Sequence, residues 1–248
     1  MNQWNDIAVI SPVHDIDIST VPYLRDQVDG LVNSGMRRII VNCQDVGFID
    51  STGLAFLVSC ARRLGALGGM LSLVNVASEV EQFLRIARLG DALHVSPAEH
   101  RDVPELEPSE RPVWVRRLAI RRGVEHLGYY RHLVADMLSQ LPLSRDACFD
   151  VAVAAGEALS NAYDHAYGAA GCMMVVKACA DRVVIEVRDR GRGFELAPDE
   201  EPPAPTATRG RGIRLMRMLV DRVDIERRRD GRGTLVRLVK LYPEGAEA

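Results

Sequence analysis

Val183-Val184-Ile185-Glu186-Val187-Arg188-Asp189-Arg190-Gly191-Arg192-Gly193-Phe194 is a β-branched run that ends on an acid and two glycines one residue apart. The run reads as a strand, and Asp-x-Gly-x-Gly as the turn that leaves it. Upstream, Glu157-Ala158-Leu159-Ser160-Asn161-Ala162-Tyr163-Asp164-His165 spaces Glu, Asn and His by four, so all three share one face of a helix. That helix is otherwise rich in Ala, Val and Leu, so the polar line points to a cleft rather than to open solvent. Downstream, Gly210-Arg211-Gly212-Ile213 opens a further helix. Gly233-Thr234 starts a final strand after the hairpin signal Arg229-Asp230-Gly231-Arg232. Each Gly-x-Gly alone is only a turn or a helix start. The third glycine of a dinucleotide fingerprint is missing, and no P-loop or protein-kinase set occurs.

Around this centre the second half predicts a strand near 115–121 and a helix carrying Leu127, Leu133, Val134, Met137 and Leu138. A second helix, capped by Ser144, runs through Asn161 to about Tyr167. Strands at 172–178, 183–188, 223–227 and 234–241 and a helix at 212–220 complete it. The expected layout is helices on one face of a mixed, largely antiparallel sheet. The polar, proline-bearing stretch 194–208 reads as a lid, and Arg227-Arg228-Arg229 as a solvated face.

The first half alternates strands (7–10, 38–42, 70–74) with helices. One helix starts at Ser19 or Thr20 and stops at Gly35; a second carries Leu54, Leu57, Val58, Ala61 and Leu64; a third is capped by Ser78 and runs through Arg88. This is a small α/β domain. Residues 97–112, rich in Pro and Glu, read as a linker able to reach on the order of 50 Å when extended. The expected division is therefore 1–96, linker 97–112, a second domain at 113–242, and a tail at 243–248.

With 248 residues, 47% hydrophobic and 26% charged, the chain suits two modest globular domains. It has no 18-residue apolar run, so no membrane span is expected. Its start lacks a secretory pattern, which points to a cytoplasmic protein. Cysteines 43, 60, 148, 172 and 179 show no disulfide or zinc spacing and fit a reduced compartment. Net charge is −3, with acids in excess in residues 1–100 and bases in residues 113–248; that bias is too small for a nucleic-acid partner.

Asp50-Ser51-Thr52-Gly53-Leu54 follows a strand and opens an apolar helix. As structure it is a capped helix start, with glycine permitting a tight turn. As chemistry it exposes a hydroxyl at the positive end of a helix dipole, where a phosphate is favoured and adds charge beside Asp50.

Together with Asp15-Ile16-Asp17-Ile18-Ser19-Thr20-Val21-Pro22, this stretch resembles the STAS domains of bacterial anti-sigma-factor antagonists across roughly residues 5–96. His14-Asp15 departs from that family's Gly-Glu. The resemblance implies that Ser51 is the phosphoacceptor. The ordered set Glu-x-x-x-Asn, Asp-x-Gly-x-Gly, Gly-x-Gly and Gly-Thr resembles the GHKL (Bergerat-type) ATP-binding α/β sandwich, and within it the anti-sigma-factor serine kinases. No phosphorylated-histidine helix of the sensor kinases precedes it.

That resemblance implies ATP and Mg²⁺ as cofactors and a catalytic carboxylate at Glu157. It implies Asn161 at the metal, Asp189 on the adenine amine, and Gly191 and Gly193 close to the base. Gly210 and Gly212 would meet the phosphates at a helix start, and Thr234 would complete the ATP site. The expected function is a partner-switching regulator of transcription with a serine kinase fused to an antagonist. Its partners would be a sigma factor, a separate STAS antagonist or an anti-sigma kinase, with a homodimer implied by resemblance and neither nucleic acid nor membrane involved. The alternative is an ATP-binding switch with little turnover, tuned in cis by its STAS domain. A nucleotide sensor with unrelated partners is the third reading.

Overall fold

The computed structural model describes residues 7–90, 92–97, 102–105, 111–120, 127–165, 172–197, 208–228 and 232–246. Its contacts divide the chain into two compact units, Met1–His100 and Arg101–Ala248.

In the first unit, Arg38-Ile39-Ile40-Val41-Asn42 forms strand β2 (Arg38–Asn42), buried along its whole length and so necessarily interior to a sheet. With β1 (Ile7–Ile10), β3 (Met70–Val76) and β4 (Val95–Pro97) it makes a sheet of order β1-β2-β3-β4 in which every pair is parallel. Parallel neighbours need crossovers, supplied by helices α1 (Val21–Asn33), α2 (Ser51–Ala66) and α3 (Ser78–Ile86). Leu24 and Val28 of α1 and Phe56, Leu57 and Leu64 of α2 bury against Ile39, Leu71 and Leu73. β4 escapes the sequence reading because three residues are too few to show alternation. Thr20 takes the N-cap position of α1 as expected, without a side-chain bond into the helix; its Oγ1 accepts from the Asp17 N–H (3.0 Å), and Asp17 Oδ1 accepts from the N–H of Ser19 (2.8 Å) and of Thr20 (3.1 Å). α3 starts at Ser78 itself, preceded by Ala77 without a side-chain cap.

The start of α2 is seated on Ile16. Ile16 bridges Ile49 in parallel fashion, and the Asp50 N–H donates to the Ile16 carbonyl at 3.2 Å. A Cβ on Gly53 would lie 2.1 Å from that carbonyl oxygen, so the third helical position admits no side chain.

The second unit contains β5 (Trp114–Ile120), α4 (Leu127–Leu138), α5 (Arg145–His165), β6 (Cys172–Ala178), β7 (Arg182–Arg188), α6 (Thr208–Leu219), β8 (Arg222–Arg227) and β9 (Thr234–Leu241). Its strands run β5-β6-β7-β9-β8, and every pair among the described residues is antiparallel rather than mixed. Ser144 caps α5 as expected, its Oγ accepting from the Ala147 N–H at 3.1 Å. The expected end of that helix near Tyr167 and Gly168 lies outside the described residues, as does most of the stretch read as a lid.

Strand alternation sends Ile185, Val187, Val236, Leu238 and Ile225 to the helix-covered face of this sheet. The other face carries an ionic layer. Glu186, 4% exposed, accepts from Lys177 and Arg188, while Arg237 stands 3.8 Å from Glu186, 3.7 Å from Asp224 and 3.6 Å from Glu226. Burial pushes the Glu186 carboxyl up, but the bonds from Lys177 and Arg188 outweigh it and hold the group below its ordinary value. On the same face Val103 packs against Cys179, Val184 and Val239, and Arg182 donates to the Pro104 carbonyl. Part of the stretch read as linker is thus fastened to the second unit.

All five cysteines are free and buried. Burial pushes the thiols of Cys60 and Cys172 up to about 11 and that of Cys43 to about 12, so none of these three is a reactive thiolate near neutrality. Among the described residues no helix is long and apolar enough to cross a membrane.

Gly53→Ala must force Ile16 away from α2, and chemical denaturation is expected to show a loss of about 1–3 kcal/mol. An unchanged midpoint would refute the close approach. The lowered Glu186 pKa contributes stability that is complete above the unfolded value of 4.5 and is lost as pH falls through the lower folded value. Urea midpoints measured from pH 7 down to pH 3 should therefore fall less steeply on the acid side in Glu186→Gln than in the wild type; superimposable acid limbs would remove Glu186 from the linkage.

Candidate functional site

The last register pair of β7 and β9 is Arg188 with Leu235, and beyond it the two chains stay tied. The Asp189 N–H donates to the Thr234 carbonyl at 3.1 Å. Asp189 Oδ1 accepts from the N–H of Gly191 (2.7 Å) and of Thr234 (3.1 Å). Asp189 is only 5% exposed, and its Oδ2 makes no hydrogen bond among the described residues. One oxygen holds the turn and the other is left as an acceptor.

Asp189 lines a narrow cavity. Ala158, Asn161 and Ala162 of α5 form one wall and Ile213 and Met216 of α6 another; Ile225, Thr234 and Val236 come from the sheet, with Phe194 at the turn. An anionic acceptor at the edge of an apolar slot suits a flat ring bearing an exocyclic amine.

Glu157 and Asn161, one helical turn apart, are both half-buried. A Cβ on Gly212 would lie 2.9 Å from Glu157 Oε2 and 3.4 Å from Asn161 Nδ2, so the start of α6 is pressed against these two groups. Gly210 belongs to the first turn of α6, whose N–H groups have no partner within the helix. The Asn161 amide makes no hydrogen bond among the described residues. The side chains of Arg209, Arg211 and His165 lie outside the described part.

The fit to Mg²⁺ and phosphate is set by this donor set. The Asn161 amide beside a helix N-terminus matches a hard cation that takes its remaining ligands from phosphate and water, with the Glu157 carboxylate one turn away. Among the described residues no cluster of three His, Cys, Asp or Glu offers a metal cage, so a cation here depends on ligands brought by a nucleotide.

The turn after β7 is backed by the β8–β9 hairpin. Arg228 NH1 donates to the Asp189 carbonyl at 3.0 Å, and Arg227 NH1 to the Arg192 carbonyl at 3.4 Å. Gly193 has φ +78°, and a Cβ there would meet the Gly233 carbonyl at 2.9 Å. The arginine run is expected to face solvent, and Arg227 does so, whereas Arg228 is half-buried. The contacts of Arg227 and Arg228 span 35 and 39 residues of sequence, and no local pattern announces them.

Ser51 stands at the first position of α2 in the other unit, exposed. Both oxygens of Asp50 are occupied, Oδ1 by the Gly53 N–H (2.7 Å) and Oδ2 by the Ile18 N–H (3.1 Å). Asp50 therefore fixes the helix start, and the Ser51 hydroxyl makes no hydrogen bond among the described residues. Asp15, the departure noted above, accepts from the N–H of Gly47 and of Phe48, both at 2.9 Å, and so ties the loop that precedes Ser51. Ile18 and Phe48 are exposed beside it. The wider groove of this unit, 580 Å³ between β1 and α1, has a mixed apolar and polar lining and holds none of the site residues.

Residues 1–101 match the STAS domain family, and residues 120–240 match the histidine kinase-like ATPase domain family. An anti-sigma-B factor antagonist of Staphylococcus aureus is 30% identical over 82 residues, which are 33% of this chain and 76% of that protein. A Thermotoga neapolitana protein named as a homolog of the antagonist TM1081 is 28% identical over 85 residues, 34% of this chain and 75% of its own. The crystal structure of TM1081 from Thermotoga maritima, 24% identical, covers 37% of this chain and 79% of that one with a TM-score of 0.35. Through residues 1–101 the chain belongs to the STAS family of anti-sigma-factor antagonists, and over residues 120–240 it carries a histidine kinase-like ATPase domain.

Proposed function

We propose that the chain is a partner-switching regulator whose second domain is a serine kinase and whose Ser51 is a phosphoacceptor. The observation that carries this reading is Asp189: a buried carboxylate with one oxygen locked by main chain and the other open to an apolar slot, next to an uncommitted Asn161 amide. ATP with Mg²⁺ supplies the transferable phosphoryl group. Asp189 Oδ2 accepts from the base amine, and Thr234 borders the same slot. The slot measures about 40 Å³ with Phe194 in its lining, so a purine enters only as its walls move apart. Gly210 and Gly212 present the start of α6 to the phosphates, the Asn161 amide oxygen holds the cation, and the Glu157 carboxylate takes the proton of the acceptor hydroxyl.

Ser51 is suited to receive the group. It is exposed at a helix N-terminus, where main-chain N–H groups and the dipole favour a phosphate. A phosphate beside Asp50 and the exposed Ile18 and Phe48 turns an apolar, hydrogen-bonding surface into a strongly anionic one, which releases any partner docked there. The relatives named as anti-sigma factor antagonists support a sigma-factor regulator as that partner. The buried free thiols fit a reducing compartment such as the cytoplasm.

Incubated with labelled ATP and Mg²⁺, the wild-type chain should gain label at Ser51, and Ser51→Ala should lose it. Nucleotide binding without label at any serine would leave an ATP-gated binding switch in place of the kinase. Asn161→Ala should weaken Mg²⁺-dependent ATP binding by roughly tenfold or more in calorimetry; equal affinity would mean that the cation sits elsewhere.

A further inference from the structure

Asp189 is held from a direction that its own motif does not provide. In the sheet order β7-β9-β8, Arg228 leaves the end of β8 and Asp189 the end of β7, with β9 between them. Two strand spacings amount to roughly 10 Å, long for an arginine side chain. The crossing is possible because the residue in between is Gly233. At φ +92° it lies so close that a Cβ would stand 2.1 Å from the Asp189 carbonyl oxygen. The Arg228 N–H donates to the Gly233 carbonyl at 3.1 Å, which fixes where the side chain starts, and NH1 ends on the Asp189 carbonyl at 3.0 Å. Every main-chain polar group of Asp189 is thereby engaged: its N–H by Thr234 and its C=O by Arg228. A guanidinium donor strengthens the carbonyl bond relative to a neutral one.

We propose that Arg228 is a positioning residue for base recognition, acting through the Asp189 main chain to fix the carboxylate oxygen that reads the purine. The inference rests on the nucleotide reading above and adds a determinant of specificity to it. Adenine offers an amine to Asp189 Oδ2, whereas guanine presents a carbonyl at the same ring position and sets two acceptors face to face. Discrimination between them requires the carboxylate to stay in place, and Arg228 removes the freedom of the turn to swing it away.

The test uses the full chain, titrated calorimetrically with ATP and with GTP, and melted without nucleotide. Arg228→Ala should lower ATP affinity about tenfold, leave GTP affinity where it was, and leave the melting temperature within a degree or two of wild type. Arg228→Lys, which keeps a cationic donor, should recover part of the loss. Unchanged ATP affinity in Arg228→Ala overturns the inference and leaves the nucleotide reading intact. An equal loss for ATP and GTP with a lowered melting temperature also overturns it, by reducing Arg228 to a fold-stabilising residue. A wild-type chain that takes up no ATP overturns the nucleotide reading, and the inference falls with it.

Discussion

Where β7 and β9 run out of register pairs, the Asp189 N–H still donates to the Thr234 carbonyl, while the Thr234 N–H turns to the Asp189 carboxylate. This exchange converts the end of an ordinary ladder into a site. It removes Asp189 from solvent with one oxygen satisfied, which a buried carboxylate requires, and it leaves the second oxygen facing a slot made by two helices. Hydrogen bonds to an ionised group contribute about 1.5–3 kcal/mol each, enough to hold the side chain in one orientation. The wall formed by α5 and α6 has meaning only relative to that fixed point. Asn161 and Glu157 lie a helical turn apart on α5, and Gly212 is bare so that α6 can reach them.

The opposite face of the same sheet follows a different logic. Glu186 sits in a strand whose neighbours are Val, Ile and Val, and its charge is kept by Lys177 and Arg188 with Arg237 nearby. Removing one member of such a group leaves the others uncompensated, so the layer resists piecemeal change. It also makes both faces of β7 inaccessible, one through helices and one through long basic side chains whose stems lie on the sheet.

Much of this was legible from residue spacing. The interval of four between Glu157 and Asn161 predicts a shared face, and the structure has both half-buried on α5 against Gly212. Asp-x-Gly-x-Gly after a β-branched run predicts a turn, and the Gly191 N–H closes it on Asp189. Asp50 at the start of an apolar helix predicts a cap, and Gly53 accepts that role as the donor. What spacing misses is contact across distance. Gly53 reads as a turn residue, but its lack of a side chain serves the approach of the Ile16 carbonyl. Arg228 reads as part of a solvated run because nothing local shows that Gly233 opens a passage to the end of β7. Strand direction is also invisible in a hydrophobic pattern: one sheet is wholly parallel and the other, among the described strands, wholly antiparallel.

The seat of Val103 changes the polymer physics of the connection between the two units. Counted from composition, sixteen residues separate them. Val103 and the Pro104 carbonyl, both inside that stretch, are held on the second unit's sheet. Residues that composition assigns to a spacer thus serve as part of a sheet's cover, and the length of the proline-rich stretch overstates how much of it is spacer.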